Sequence, residues 1–333
     1  MSVTIKDIAK IAKVSHTTVS RALNDSPFIK QETKDIIKEI AKQLRYVPNF
    51  SARSLVLNKS YNIALVFTSI GDGTSPSFFH DVIEGVNSVI NKDYNLVITG
   101  IDEYENFNSI NKKRFDGIIL ISQSDKDNIF IYDVLNKKIP MVVLNREIQE
   151  SSIVNLLSAD KDGSFKAVNY LIENGHTSIA IIEGKKGYDS SINRKEGFLK
   201  ALIQNKIQVN DEYIVSGEYS IESGYNEMKK LLALSKVPTA VFCSNDDMAI
   251  GAMKAIFEAG LKVPDDISVI GFDNSLVCGY VTPELTSVRK PTKEFSIKGA
   301  NILLKIIEGQ EIKGERVYID TDIIIRKSVK KLN

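Results

Sequence analysis

Apolar residues recur at helical spacing through the first 44 positions and then give way to short continuous apolar runs, a change that divides the chain. In the first part, Ile8, Ala9 and Ala12 share one face of a segment opened by Thr4-Ile5-Lys6-Asp7, where a hydroxyl three residues ahead of a carboxylate is the pattern of a capping box. Val14, Val19, Ala22 and Leu23 predict a second helix over residues 16 to about 24, with Ser15 as its N-cap and a three-residue turn before it. A third helix is predicted over 31–44 from Ile36, Ile37, Ile40, Ala41 and Leu44. The second helix leaves His16, Thr17, Ser20 and Arg21 off its apolar side, so short polar residues stand where an interior helix would carry leucine.

From Tyr61 onward, apolar runs at 62–67, 96–98, 117–121, 141–144, 179–182, 240–243 and 267–272 predict strands. Helical patterns near 79–90, 161–174, 194–204, 221–234 and 246–259 lie between them. Continuous apolar strands alternating with helices imply parallel sheets covered on both faces, and two sets of them imply two α/β lobes. Ligands of open α/β sheets bind beyond the carboxyl ends of the strands. The residues there are Thr68, Ser69, Ser122, Asn145, Arg146, Glu183, Ser244, Asn245, Asp246, Asp273 and Asn274. Such a set offers paired donors and acceptors suited to a polyhydroxylated sugar. Phe78 and Phe79 could stack on a sugar ring or pack into the core.

Charge sharpens the division. Residues 1–60 carry eleven Lys+Arg against five Asp+Glu, a balance of +6 hidden in a whole-chain charge of +1, so the remainder carries −5. A basic head on a mildly acidic body is the asymmetry of a nucleic-acid-binding module joined to something else. The head's geometry fits a helix-turn-helix, whose second helix enters the DNA major groove; Arg21 can donate two hydrogen bonds to guanine, and Ser and Thr hydroxyls reach phosphates. After Pro48, Asn49 could cap a helix barely two turns long, too short to stand alone. It would form where Arg53 follows a minor groove and Leu55 wedges into a base step.

The remaining composition narrows the classes. No run of 18 apolar residues occurs and the N-terminus lacks a signal-peptide core, so a cytoplasmic protein without membrane contact is expected. Cys243 and Cys278 read as reduced packing residues, and His16, His80 and His176 have no ligand spacing, so no metal is expected. No nucleophile elbow, phosphate-cradling glycine loop or dinucleotide fingerprint is found, which argues against an enzyme and leaves no cofactor. The basic end at 326–331 reads as a solvated tail.

The run from Val3 to Ala9, Val14-Ser15-His16-Thr17-Thr18-Val19-Ser20-Arg21-Ala22-Leu23-Asn24, Tyr46-Val47-Pro48-Asn49 and Ala52-Arg53-Ser54-Leu55 closely resembles the lactose-repressor (LacI/GalR) family of bacterial transcription regulators. The resemblance continues through Gly175-His176, residues 194–198, 244–249 and 263–274, and Leu285-Thr286-Ser287-Val288. It implies an all-α helix-turn-helix head at 1–46, a hinge at 47–60, and a periplasmic-binding-protein-like regulatory domain at 61–333. The two lobes of that domain would be roughly 61–158 plus 289–318 and 159–288 plus 319–333. By the same resemblance His16, Thr17 and Arg21 would read bases, and Ser15, Thr18, Ser20, Asn24 and Thr33 would touch phosphates. Asn49, Arg53 and Leu55 would serve the hinge at the centre of a palindromic operator.

Arg194, Asn245 and Asp273 fall on the family's effector-contacting positions, although each also has a plain reading, as a surface arginine, a helix cap and a turn residue. Three departures stand out: Lys13 replaces a frequent turn glycine, Lys30 a frequent capping serine, and Asn145 a frequent aspartate. The expectation is a homodimeric repressor of carbohydrate-use genes, controlled by a sugar or sugar phosphate. A purine effector, a phosphorylated carrier-protein co-regulator and a pure solute-binding protein are the alternatives. The absence of a leucine heptad after Ile325 favours a dimer over a tetramer.

Overall fold

The computed structural model describes residues 3–23, 25–44, 46, 59–71, 73–90 and 93–332. The chain falls into two compact units, Met1–Lys59 and Ser60–Asn333.

In the first unit, helix α1 (Ile5–Ala12) begins where Asp7 Oδ2 accepts from both the Thr4 backbone N–H (2.9 Å) and the Thr4 hydroxyl (2.7 Å). Those two bonds hold the Asp7 carboxyl below its ordinary pKa. Helix α2 (His16–Leu23) is capped by Ser15 Oγ, which accepts from the Thr18 N–H at 3.1 Å. Helix α3 (Gln31–Gln43) closes a core of Ile8, Ala9, Val19, Ala22, Ile37 and Ala41. Lys30 provides this third helix with no side-chain cap. Lys13 ends α1 in the left-handed region, at φ 52° and ψ 39°. A residue with a Cβ pays about 1 kcal/mol there, partly offset in glycine by its greater freedom when unfolded. Lys13→Gly is therefore expected to stabilise the head by about 0.5 kcal/mol, read from its unfolding transition in the whole protein. A lower midpoint would show that the lysine side chain itself is needed.

The second unit contains two six-stranded sheets. The first is built from β1 (Asn62–Phe67), β2 (Asn95–Gly100), β3 (Gly117–Ile121), β4 (Met141–Leu144), β5 (Val154–Ser158) and β11 (Arg316–Ile319), in the order β11-β5-β4-β3-β1-β2 and parallel throughout. Helices α4 (Pro76–Ile90) and α5 (Asn128–Asn136) belong to this lobe. Strand β1 shows why its run is continuously apolar: Ile63, Leu65 and Phe67 enter one core while Ala64 and Val66 enter the other.

The second sheet comprises β6 (Ile179–Glu183), β7 (Ile214–Ser216), β8 (Ala240–Cys243), β9 (Ser268–Asp273), β10 (Thr286–Arg289) and β12 (Asp322–Ile324). Its order is β12-β10-β9-β8-β6-β7, parallel except that β12 pairs antiparallel with β10, a departure from the all-parallel expectation. Its helices pack in pairs, α6 (Asp160–Glu173) beside α7 (Asp189–Gln204), and α8 (Ile221–Leu232) beside α9 (Asp246–Glu258). A Cβ at Gly197 would run into the Lys161 carbonyl oxygen and the Ser164 side chain, so glycine there permits the close approach of α7 to α6. After β10 the chain returns to the first lobe, where α10 (Thr292–Ile307) packs on α4 and β4.

The C-terminal segment corrects the expectation of a solvated tail. Ser328 is buried and donates to the Val269 carbonyl at 2.6 Å while accepting from the Thr286 N–H at 2.8 Å. His176 Nε2 lies 3.0 Å from the Lys330 carbonyl oxygen, and Arg326 donates to the Leu285 carbonyl and to Asn274 at 2.7 Å each. The basic side chains hid a backbone that completes the hydrogen bonding of the second lobe.

Candidate functional site

On α2 the apolar side is consumed by Val19 and Ala22, and Ser15, His16, Thr17 and Arg21 are exposed. Thr18 and Ser20 are half-buried beside that face, with the Ser15 and Thr18 hydroxyls 2.9 Å apart. Thr33 is half-buried near the start of α3. The remaining expected contacts, Asn24, Asn49, Arg53 and Leu55, lie outside the described residues, as does the expected hinge helix.

In the second unit a narrow cleft lies between the two sheets' carboxyl ends. Gly73, Ser75, Phe78, Gln123 and Asn145 line it from the first lobe, and Ser190, Arg194, Tyr219, Asn245 and Asp273 from the second. Lys290 lines it from the segment that crosses back to the first lobe. Of the sequence-predicted effector residues, Phe78, Asn145, Arg194, Asn245 and Asp273 meet here.

Three others do not. Thr68 is spent in holding strand ends together: its hydroxyl donates to Asp127 Oδ2 at 2.6 Å and accepts the Gln123 N–H at 2.9 Å. Arg146 turns into the first lobe, where Ser122 Oγ (2.7 Å), Asp125 (2.8 Å) and Asn128 (2.6 Å) take its three donor nitrogens. Phe79 packs on Phe67, with ring centroids 5.0 Å apart, one helical step round from Phe78.

Gly73, Ser75, Gln123, Ser190, Tyr219 and Lys290 were missed. Gln123 stands one residue beyond the Ser122 that strand-end reasoning reached. Tyr219 follows β7, which is only three residues long, and Lys290 follows β10, too polar to read as an apolar run. Ser190 lies in the first turn of α7, which starts five residues before the expected 194.

Charge in the cleft centres on Arg194, whose side chain is 3% exposed. Its Nε and one terminal nitrogen reach Asp160 Oδ2 at 2.9 and 2.8 Å, the other donates to the Ser244 carbonyl, and Asp273 Oδ1 lies at 3.5 Å. The guanidinium also stacks 3.7 Å from the centroid of Phe272. Burial opposes its charge, but Asp160 and Asp273 outweigh burial and raise its pKa.

Burial likewise works against the Asp160 carboxylate. Arg194, Lys290 and the Ser158 hydroxyl together still hold Asp160 below its ordinary pKa. For Asp273 burial wins over Arg194 and pushes the carboxyl up to about 7, with Asp246 and Asp160 adding to the rise. Asn245 serves two purposes: its Oδ1 caps α9 by accepting the Met248 N–H (2.9 Å), and its Nδ2 donates to the Tyr219 carbonyl (3.0 Å). Asn145, at φ 78°, donates to the Ser122 carbonyl and accepts from Lys290. The lobes also touch directly, the Asp189 N–H donating to the Gln123 carbonyl at 3.0 Å.

Both thiols are buried, which pushes their pKa values far up, so neither supplies a thiolate. Among the described residues His80, Asp81 and Glu84 stand close enough to share a cation, but Glu84 is ion-paired with Lys293 at 2.6 Å. No helix among the described residues is long and apolar enough to cross a membrane.

Residues 4–49 match the profile of bacterial regulatory proteins of the lacI family, and residues 168–329 match a periplasmic binding protein-like domain. In overall structure the chain is similar to the lac repressor dimer bound to operator and the anti-inducer ONPF, with a TM-score of 0.83 and 26% identity over 99% of this chain and 100% of that one. It is also similar to the transcriptional regulator CelR in complex with cellobiose, with a TM-score of 0.74 and 27% identity over 98% and 99% of the two chains. A probable HTH-type transcriptional repressor, ExuR of Bacillus subtilis strain 168, is 57% identical over 99% of both sequences. With the helix-turn-helix head, the two-lobed body and a relative this similar over its full length, the chain belongs to the LacI family of bacterial regulatory proteins.

Proposed function

We propose that the chain is a cytoplasmic, homodimeric repressor of carbohydrate-use genes whose grip on a palindromic operator is set by a small sugar or sugar phosphate in the cleft. The observation that carries this reading is the pairing, in one chain, of an α2 face that exposes His16, Thr17 and Arg21 with an interlobe cleft lined by Phe78, Asn145, Arg194, Asn245 and Asp273. His16, Thr17 and Arg21 read base edges; Ser15, Thr18, Ser20, Asn24 and Thr33 hold phosphates; Asn49, Arg53 and Leu55 belong to a hinge at 47–60. The effector changes the angle between lobes at 61–158 plus 289–318 and 159–288 plus 319–333, and through it the spacing of the paired hinges.

A second copy is supported by exposed apolar side chains on the second lobe. Leu276 and Tyr280 are 83% and 79% exposed in the loop after β9, and Ile221 is half exposed at the start of α8, which packs beside α9. Two copies place two recognition helices on two half-sites, which one small head cannot do alone.

Arg21→Ala tests the DNA reading. It is expected to cost about 1–3 kcal/mol at the preferred operator and to relax base preference at one position of each half-site. Binding of wild type and variant to a randomised palindrome library at about 0.15 M salt decides. A uniform loss on all sequences would make Arg21 a phosphate contact, and no preference of the wild type for any palindrome would end the repressor reading.

A further inference from the structure

Lys290 is a buried lysine, its side chain only 3% exposed. Its ammonium donates to the neutral Asn145 Oδ1 at 2.7 Å and faces the Phe78 ring at 5.2 Å. The carboxylate nearest to it, Asp160 Oδ2, is 3.6 Å away and already takes two donors from Arg194. An ammonium withdrawn from water needs a counter-charge of its own and acceptors for three protons. This one has a single short bond, to an amide. Burial accordingly pulls the Lys290 pKa down.

Across the same cleft Gln123 is 5% exposed and its Oε1 has no hydrogen-bond partner. A buried acceptor is normally hydrogen-bonded, so one left open in a cleft marks a place for a donor from water or a ligand.

We propose that Lys290 determines the specificity of the cleft, and that it selects a small polyhydroxylated anion whose carboxylate or phosphate meets its ammonium while a hydroxyl donates to Gln123 Oε1. This rests on the reading of the cleft as an effector site and names the effector's charge. Lys290 also stands directly after β10 of the second sheet and two residues before α10, which packs on the first lobe. An anion drawn to it therefore acts on a segment that links the lobes.

The test is thermal shift and calorimetric titration of the full-length protein with matched pentose and hexose sets, each as the neutral sugar, the sugar acid and the sugar phosphate. One charge-assisted contact predicts that an anionic member binds at least about tenfold more tightly than its neutral counterpart. Whether acid or phosphate prevails identifies the anionic group. Lys290→Gln is expected to abolish the preference and Lys290→Arg to keep it. A neutral sugar binding most tightly, or an anion preference that survives Lys290→Gln, would each overturn the proposal and leave the effector site standing. Silence from all three forms would overturn the effector reading and this inference with it.

Discussion

Arg194→Ala is expected to destabilise the two-lobed unit by about 3–5 kcal/mol, because removing one partner of a buried ion pair leaves the other's charge uncompensated. Two carboxyl groups depend on it: Asp160, which its Nε and a terminal nitrogen grip at 2.9 and 2.8 Å, and Asp273 at 3.5 Å. The Ser244 carbonyl and the Phe272 ring face lose their partner as well. For a unit of this size the loss amounts to a fall in Tm on the order of 10 °C. Arg194→Lys, which keeps the charge but cannot fork onto Asp160 while reaching Ser244, should lie between alanine and wild type. Urea unfolding of the three proteins at pH 7.5 checks the order. An alanine loss below about 1 kcal/mol would mean that Asp160 and Asp273 are solvated or protonated without Arg194, and that the charge cluster is not the framework of the cleft.

That cluster also shows how far the sequence could be read. Asn245 and Asp273 were legible because each lies at a strand end whose apolar neighbours, such as Ile270 and Phe272, are unmistakable, whereas Arg194, in the second turn of α7, was reached through the family resemblance. Their plain and functional readings turned out to be compatible, since Asn245 caps α9 and lines the cleft with the same side chain. Strand β10 was illegible for the opposite reason. Thr286 and Ser287 are fully buried hydroxyls, satisfied by Arg326 and Asp246 across the fold, and nothing local announces such partners. With β10 unseen, Lys290 at its end was unseen too. Arg146 was misplaced because strand-end logic gives position along the chain but not direction, and alternate residues after β4 point to opposite sides. Helix α10 was not anticipated although Phe295, Ala300 and Leu303 stand at helical spacing and are buried.

Asp273→Asn is expected to flatten part of the protein's dependence on pH. Burial raises the Asp273 carboxyl from an ordinary 3.8 to about 7 in the folded protein, against the pull of Arg194 and Lys290 and with the help of Asp246 and Asp160. Between those two values the native state holds a proton that the unfolded chain has released, so the stability this group contributes is complete below about pH 4 and lost as pH rises through 7. The loss is on the order of a few kcal/mol. Asp189 and Asp247, each raised to about 6, act in the same direction. His176, whose pKa burial lowers from 6.5, acts oppositely, its contribution failing as pH falls. The wild-type profile alone therefore does not isolate Asp273, but the difference between the two proteins does, because the other groups are common to both. Asparagine keeps an acceptor for Arg194 without a charge to desolvate, so the variant should gain on wild type steadily from pH 5 to pH 8. Unfolding free energies at four pH values in that range measure the difference. If it stays constant, Asp273 is ionised throughout, and the cleft then holds one more fixed negative charge to set against Lys290.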